Sequence, residues 1–340
     1  MASSYTSGLG SNYEPRAGFD SSGASGLYHF ARPDYPTEAV DAILSATKTS
    51  ARHHPLTLLE VGSGTGIFTQ CLLEGAARRL QRGCSEGAAG QIQRYLAVEP
   101  SKGMRKGWDR YIFQELVAKL ASKGLFTSEQ DIACVEGTFE NLSSALADGK
   151  TGIYDLVMIA QAWHWCPNIP ASLNGIAGAL KSPGADIAGG GHLALIWNME
   201  DQSAETGARW VSKVQALLEK HEDNTPQHRH RYWASMYKQP SLLEQFEVLE
   251  PKYYTRKLPA TLQGVKDRVL SKSYISVLMP EEKAALLKSI DDIFASEADA
   301  ALQRTWIDKE RGIFEYPIST GEHRDRPRFA RQSLTGSTAC

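Results

Sequence analysis

The sequence has no excess of either charge. Its 37 Lys and Arg stand against 39 Asp and Glu, a formal net charge of −2 with a pI near 6.5. Without a basic field there is no global electrostatic reason for the chain to gather nucleic acid or an anionic membrane surface. Paired cysteines are missing too: Cys71, Cys84, Cys134, Cys166 and Cys340 are scattered, with no C-x-x-C spacing. That argues against a disulfide scaffold or a zinc site and suits a reducing compartment. No apolar run is long enough to cross a bilayer, and no charged segment followed by an apolar stretch opens the chain. A globular cytoplasmic protein with no membrane anchor, no metal and no obligate protein partner is therefore expected. No internal repeat is visible.

What the sequence does have is Thr57-Leu58-Leu59-Glu60-Val61-Gly62-Ser63-Gly64-Thr65-Gly66-Ile67-Phe68. A short apolar run ending at a glycine-dense turn reads as a buried parallel strand, and a helix follows from Ile67. Glycines let a ligand approach the main chain closely, and a helix start points N–H groups at it. Two common ligands do not fit. The dinucleotide fingerprint needs its third glycine where Ile67 stands, and the P-loop needs a Gly-Lys-Ser/Thr ending that Ile67-Phe68-Thr69 lacks. A ligand without a diphosphate remains. Glu99, ending the second apolar run at Tyr95–Pro100, is placed to accept ribose hydroxyls. It lies further from the turn than the usual gap of about 20 residues, and a polar, Gly-rich insertion over Arg79–Gln91 supplies the excess. Glu60 sits within an apolar run, so it needs a partner from backbone or ligand.

Around this turn the chain alternates. Strands are expected at Thr57–Val61, Tyr95–Pro100, Ile132–Val135, Tyr154–Ala160 and His192–Trp197. Helices are expected at Thr37–Leu44, Ile67–Leu80, Met104–Leu120 and Pro170–Leu180. Apolar strands alternating with helices indicate a parallel sheet covered on both faces. Beyond Asn198 the reading gives helices over Thr206–His221, Gly264–Ser271 and Pro280–Ala301, a strand from Phe246 to Tyr254 and a last strand near Gly312–Tyr316. The expected divisions are a Ser- and Gly-rich arm over 1–26, a ligand-binding core over 27–200, a covering region over 201–320 and a polar, flexible tail over 321–340. The arm, anchored at most by Tyr13 and Phe19, is either mobile or a flap over the ligand.

Glu60–Gly66 resembles the first motif of the class I S-adenosylmethionine-dependent methyltransferases. Val98-Glu99-Pro100-Ser101-Lys102-Gly103-Met104 is similar to their ribose-binding motif, and Glu136–Leu142 to the segment along the adenine edge. Tyr154–Val157 with Gln161-Ala162-Trp163-His164-Trp165 resembles the fourth motif, and Leu180–Gly184 with Leu193–Asn198 the later loop and fifth strand. Tyr28, Arg32–Pro36, Trp197-Asn198 and Ser271-Lys272-Ser273-Tyr274-Ile275 look like the small-molecule enzymes near trans-aconitate methyltransferase and the fungal dithiol methyltransferases. The resemblance implies a doubly wound Rossmann-like α/β sheet of seven strands, the last antiparallel and inserted between the fifth and sixth, under a helical substrate cover. It implies S-adenosylmethionine as cofactor, held by Glu60, Gly62, Ser63, Gly64, Gly66, Glu99, Pro100, Met104, Thr138, Phe139 and Gln161. Phe139 replaces the usual small residue and could stack on the base. Cys166-Pro167 stands where an acid commonly follows His-Trp.

Methyl transfer from a sulfonium is an in-line displacement, so alignment and exclusion of water can lower much of its barrier. His164, just past a strand end, is the candidate base, with a packing role as the competing account. Trp163 and Trp165 could wall the pocket, one ring facing the sulfonium, or pack in the core. Tyr28 and Arg32 could hold the methionine carboxylate or the substrate, and a solvated surface Arg is the plain alternative. The acceptor implied is a small molecule, a carboxylate or a thiol. His228–Trp233, basic and aromatic, raises RNA methylation as a lesser alternative. Ile67 disfavours nicotinamide-dependent oxidation, and a binding protein without turnover stays open.

Overall fold

The computed structural model describes residues 24–46, 54–83, 91–127, 132–142, 151–182, 190–203, 206–321 and 330–332. Expectations for the N-terminal arm, Cys84 and most of its insertion, the loop before His192, and nearly all of the tail lie outside these residues. By contacts the chain divides into two units. One comprises Asp34–Trp197, Gln227–Tyr253 and Gly321–Cys340, the other Met1–Pro33, Asn198–Pro226 and Tyr254–Thr320.

The first unit is built on a central sheet whose first five strands are β1 (Leu56–Val61), β2 (Ile92–Val98), β3 (Ile132–Val135), β4 (Leu156–Ala160) and β5 (His192–Ile196). They pair in parallel in the order β3-β2-β1-β4-β5, with Leu58 opposite both Tyr95 and Leu156. Every residue of β4 and β5 is buried, as apolar runs without alternation require when helices cover both faces. The helices Thr37–Ala46 and Ile67–Gln81 supply Val40, Ile43, Leu72 and Leu73 to that core. Asp155 fixes the entry to β1 and β4: its carboxylate accepts from Thr57 N and Oγ1 at 2.8 and 2.9 Å and pairs with Lys181 at 2.9 Å. β1 lies between β2 and β4, so the chain departs in opposite directions from this point. The crevice beyond the carboxyl ends of β1 and β4 is where such sheets bind ligands.

Two local differences from the sequence reading stand out. The helix expected over Met104–Leu120 is α-helical only at Lys102–Trp108 and Ala118–Ala121, with a π-helical stretch at Asp109–Val117 between. The wider π turn changes which side chains face inward, and propensity does not signal it. The helix after Pro36 begins at Thr37 itself rather than being capped by it.

Two more strands, β7 (Phe246–Val248) and β11 (Ala330–Gln332), extend the sheet, β11 running antiparallel between β5 and β7. The second unit holds β6 (Asn198–Glu200), β8 (Tyr253–Ala260), β9 (Trp306–Asp308) and β10 (Ile313–Gly321), in the order β6-β10-β8 with β9 also on β10. The strand expected near Gly312–Tyr316 therefore forms, but joins this sheet; β11 instead lies in the segment expected to be a flexible tail. Alternation reports which face of a strand is buried and says nothing of which sheet receives it. Tyr28 and Arg32 fall in the second unit. That unit's core gathers Trp210, Val214, Val269, Ile290, Phe294 and Phe314. Among the described residues no helix is long and apolar enough to cross a membrane.

Candidate functional site

The turn after β1 is held open by backbone geometry. Gly62, Gly64 and Gly66 have φ of 74°, 57° and 88°, values strained for any residue with a Cβ. A Cβ on Gly62 would stand 2.6 Å from Ala162 Cβ, and one on Gly66 would run into Ile112 and Trp108. Ile112 belongs to the π-helical stretch, which thus presses against the turn. Gly62 N–H donates to Val98 O at 2.8 Å and Gly66 N–H to Ser63 O at 3.1 Å. Gly66 caps the Ile67–Gln81 helix without a side chain, leaving its positive end facing the turn.

Glu99 is pinned beside the turn. Its Oε2 accepts from Gly64 N–H at 2.9 Å and its Oε1 from Ser101 N–H at 2.8 Å. It is 7% exposed. Arg105 fixes the strand end from below, donating to the Glu99 and Pro100 carbonyls at 2.8 Å each and pairing with Glu136 at 2.7 Å. The sequence reading missed Arg105, though its place six residues after a strand-end acid was a usable signal. Met104 is buried, its N–H capped by Ser101 Oγ at 3.2 Å.

Glu60 is fully buried. Thr69 Oγ1 and Tyr95 OH both donate to its Oε2 at 2.5 Å, while Oε1 has no partner among the described residues. Trp108 Nε1 donates in turn to Thr69 Oγ1 at 3.0 Å. Burial raises the Glu60 carboxyl to about 7; the two donors oppose that, and the Glu99 charge adds to it. The expected partner thus comes from side chains for one oxygen only. Thr69, Tyr95 and Trp108 carry no motif, and only the fold brings the first two to Glu60 and the third to Thr69.

Across the turn, Phe139 lies within 4 Å of the Cβ position of Gly62 and meets Trp163 edge-on at 5.7 Å. Trp163 is wholly buried and Trp165 half-buried. Thr138 Oγ1 accepts from Asn141 N–H at 3.2 Å, and Ser63 Oγ lies 3.7 Å from Cys134 Sγ. Gln161, at the end of β4, has φ of 56°, a strained value for a side-chain-bearing residue. His164 Nδ1 accepts from Trp197 Nε1 at 3.2 Å. Indole only donates, so the neutral imidazole carries its proton on Nε2. On that side His164 is a donor, and the base role expected of it would need Nδ1 to leave Trp197. His228 stacks on Trp233 at 4.9 Å and meets Trp197 at 5.0 Å, so both ends of the aromatic, basic segment are buried rather than offered to bases or phosphates.

In the second unit the Arg32 guanidinium lies 4.8 Å over the Tyr28 ring and donates to Ser271 O at 3.1 Å. It is half-buried, not a solvated surface group. Among the described residues no three His, Cys, Asp or Glu side chains could hold a metal ion.

A parallel sheet with a three-glycine turn at its switch point and an acid at the next strand end is a nucleoside-binding arrangement. No protein-family model matches the chain. It is 29% identical over 195 residues to an uncharacterized methyltransferase of Mycobacterium tuberculosis, covering 57% of each protein. It is 31% identical over 196 residues to an uncharacterized methyltransferase of Schizosaccharomyces pombe, covering 57% of this chain and 56% of that one. The match spans a little over half the length of these relatives. The resemblance to methyltransferases carried by the motifs is borne out by them, while its narrower form, toward trans-aconitate and dithiol enzymes, gains nothing from them. A solved S-adenosylmethionine-dependent methyltransferase from Thiobacillus denitrificans, in complex with S-adenosyl-L-homocysteine, is 13% identical with a TM-score of 0.40, covering 88% of this chain and 96% of that one. That likeness is too general to carry an assignment.

Proposed function

We propose that the protein is an S-adenosylmethionine-dependent methyltransferase acting in the cytoplasm on a small-molecule acceptor, a carboxylate or a thiol. The observation that carries this is Glu99, buried at the end of β2 and held against the glycine turn by the Gly64 and Ser101 N–H groups. The unpartnered Oε1 of Glu60 is a second fit, since it calls for a donor from a ligand. The antiparallel β11 between β5 and β7 supports the seven-strand arrangement implied by the resemblance.

The cofactor, when bound, supplies an electrophilic methyl on a sulfonium. Glu99 holds the ribose, and Gly62, Ser63, Gly64 and Gly66 leave the main chain open to close approach. Pro100, Met104, Thr138 and Phe139 border the base. Gln161, Trp163 and Trp165 line the β4 end and keep water from it. Tyr28 and Arg32 serve the acceptor. A carboxylate or thiolate arrives ionised, so a base is dispensable, which agrees with the engaged Nδ1 of His164. That same engaged nitrogen favours one second reading, a binding protein without turnover.

Calorimetric titration with S-adenosylmethionine and with NAD tests the cofactor: absence of saturable binding of the former overturns the proposal. Glu99→Ala removes a charged acceptor worth about 1.5–3 kcal/mol, so affinity should fall roughly 10- to 150-fold. Transfer of a labelled methyl to a metabolite panel separates enzyme from binder.

A further inference from the structure

One carboxylate stands among three cations inside the second unit. Glu200 Oε1 receives Arg268 Nη2 at 2.9 Å, Arg268 Nε at 3.1 Å and Lys272 Nζ at 3.3 Å. The charge of Arg32 also bears on Glu200 and Lys272. Among the described residues no other carboxylate pairs with these cations, so the cluster holds two positive charges in excess. Despite its burial, Glu200 is held well below the usual carboxylate range by Lys272 and Arg268, and so stays ionised. Burial is the main cause that lowers Lys272 from 10.5 to about 8, which still leaves it charged at pH 7. Excess charge out of water is costly unless something answers it.

Two donors beside that excess are unused. Arg268 Nη1 and Trp210 Nε1 are buried and have no hydrogen-bond partner among the described residues. Their residues are 2% and 1% exposed, and both groups can only donate. Arg268 and Trp210 line one cavity together with Glu200, Lys272 and Tyr316; the rest of its wall, Gln215 apart, is Val and Leu. Its volume is about 10 Å³, room for one group of about the size of a water, so a single occupant lies against the whole lining. Burial pushes the Tyr316 phenol up, so it stays protonated and able to donate. The charged members of the wall are two cations and one carboxylate, and one monovalent anion brings them to neutrality. A water would accept from both spare donors, yet its own protons also need acceptors. Glu200, the one carboxylate in the wall, already receives three N–H groups on Oε1.

We infer that this cavity is a site for one monatomic, monovalent anion, a halide such as chloride, received by the spare N–H groups of Arg268 and Trp210 with Lys272 as counter-charge. Its lining comes from β6 (Glu200), the Arg209–Leu218 helix (Trp210), the Leu262–Leu270 helix and the residues after it (Arg268, Lys272), and β10 (Tyr316). All of these lie within the second unit. A bound halide therefore ties these elements together and offsets the charge buried among them, so its effect is on the stability of that unit. The inference stands apart from the proposed function and assigns the anion no part in methyl transfer.

The test uses the full chain at pH 7 with no cofactor added, in sodium chloride, sodium bromide or sodium gluconate at one ionic strength, so that screening is constant. Gluconate is too large for the cavity. Expected are saturable chlorine-35 line broadening that bromide displaces and gluconate does not, and a higher urea midpoint in chloride than in gluconate. With gluconate making up the ionic strength, each tenfold rise in chloride above saturation should add about 1.4 kcal/mol to the unfolding free energy. Trp210→Phe and Lys272→Gln should each weaken halide binding about ten- to hundredfold, the size of one charged hydrogen bond. Lys272→Gln keeps the Arg268–Glu200 pair and the Trp210 packing, and carries the test alone if Trp210→Phe fails to fold. Equal midpoints in chloride and gluconate, or line broadening unchanged in Lys272→Gln, overturns the inference. So does a cavity holding only water, without an anomalous bromide peak, in crystals grown from bromide. Halide binding in a protein unable to bind S-adenosylmethionine supports the site while refuting the proposed function, so the two failures are told apart.

Discussion

Gly62→Ala offers a direct measure of how tightly the turn is built. The substitution asks an L residue to hold φ of 74° and puts a methyl 2.6 Å from Ala162 Cβ, well inside contact distance. The backbone term is about 1–2 kcal/mol. Forcing a methyl into filled space adds about 1–3 kcal/mol. Together they predict a loss of about 2–5 kcal/mol, read as a lower urea midpoint by near-UV circular dichroism. The two terms separate in a double-mutant cycle. Ala162→Gly alone should cost about 1 kcal/mol through lost burial and added chain freedom. In the Gly62→Ala background it removes the collision, so the double variant should recover about 1–3 kcal/mol relative to additivity. The backbone term stays, because φ is unchanged. Strict additivity of the two changes would mean that Gly62 and Ala162 do not meet and that the β1 turn is not packed against the β4 end.

Glu60 predicts a pH signature. Its carboxyl is raised from 4.5 to about 7, so between those values the folded protein binds more protons than the unfolded chain, and stability from this group falls as pH rises. Glu60→Gln keeps an acceptor and removes the titration. Its stability relative to the parent should rise between pH 4.5 and 7 by on the order of 3 kcal/mol, as read by urea unfolding; a constant difference across that window would show that Glu60 titrates normally. Thr69→Val deletes one donor to Glu60 and the acceptor of the Trp108 indole, and should cost about 1–3 kcal/mol. An unchanged midpoint would mean that water replaces the hydroxyl. Nitrogen-15 shifts of His164 should report a neutral Nε2–H ring in the parent and mixed tautomers in Trp197→Phe. An Nδ1–H ring in the parent would contradict the hydrogen bond from Trp197.

How far the sequence reaches depends on whether the cause is local. The strand–turn–helix at Leu56–Gln81 is written in consecutive residues: apolar run, positive-φ glycines, amphipathic helix. For the same reason Glu99 could be placed at the strand end beside the turn, where Gly64 N–H meets its carboxylate, since a strand-end acid is a matter of position along one strand. Parallel pairing follows from alternation of strand and helix, which the sequence also displays. These features were legible because each is decided within about a dozen residues of itself.

The rest needed the chain to be folded. Thr69 and Tyr95 reach Glu60, and Trp108 reaches Thr69, from three separate elements, and none of the three carries a motif. Ile313–Gly321 has the pattern of a strand, yet its partner is Asn198–Glu200 rather than the central sheet, a choice no local pattern records. Lys272 stood within a segment noted for its resemblance, but nothing there showed that Glu200 and Arg268 would enclose it. Hydrogen bonds and ion pairs between residues far apart in the chain depend on packing of whole elements, and burial sets their strength. The sequence by itself determined a nucleoside-binding turn and the sheet that presents it. The tertiary structure alone decided which carboxylate is starved of partners, which histidine nitrogen is engaged, and where two unanswered positive charges are held out of water.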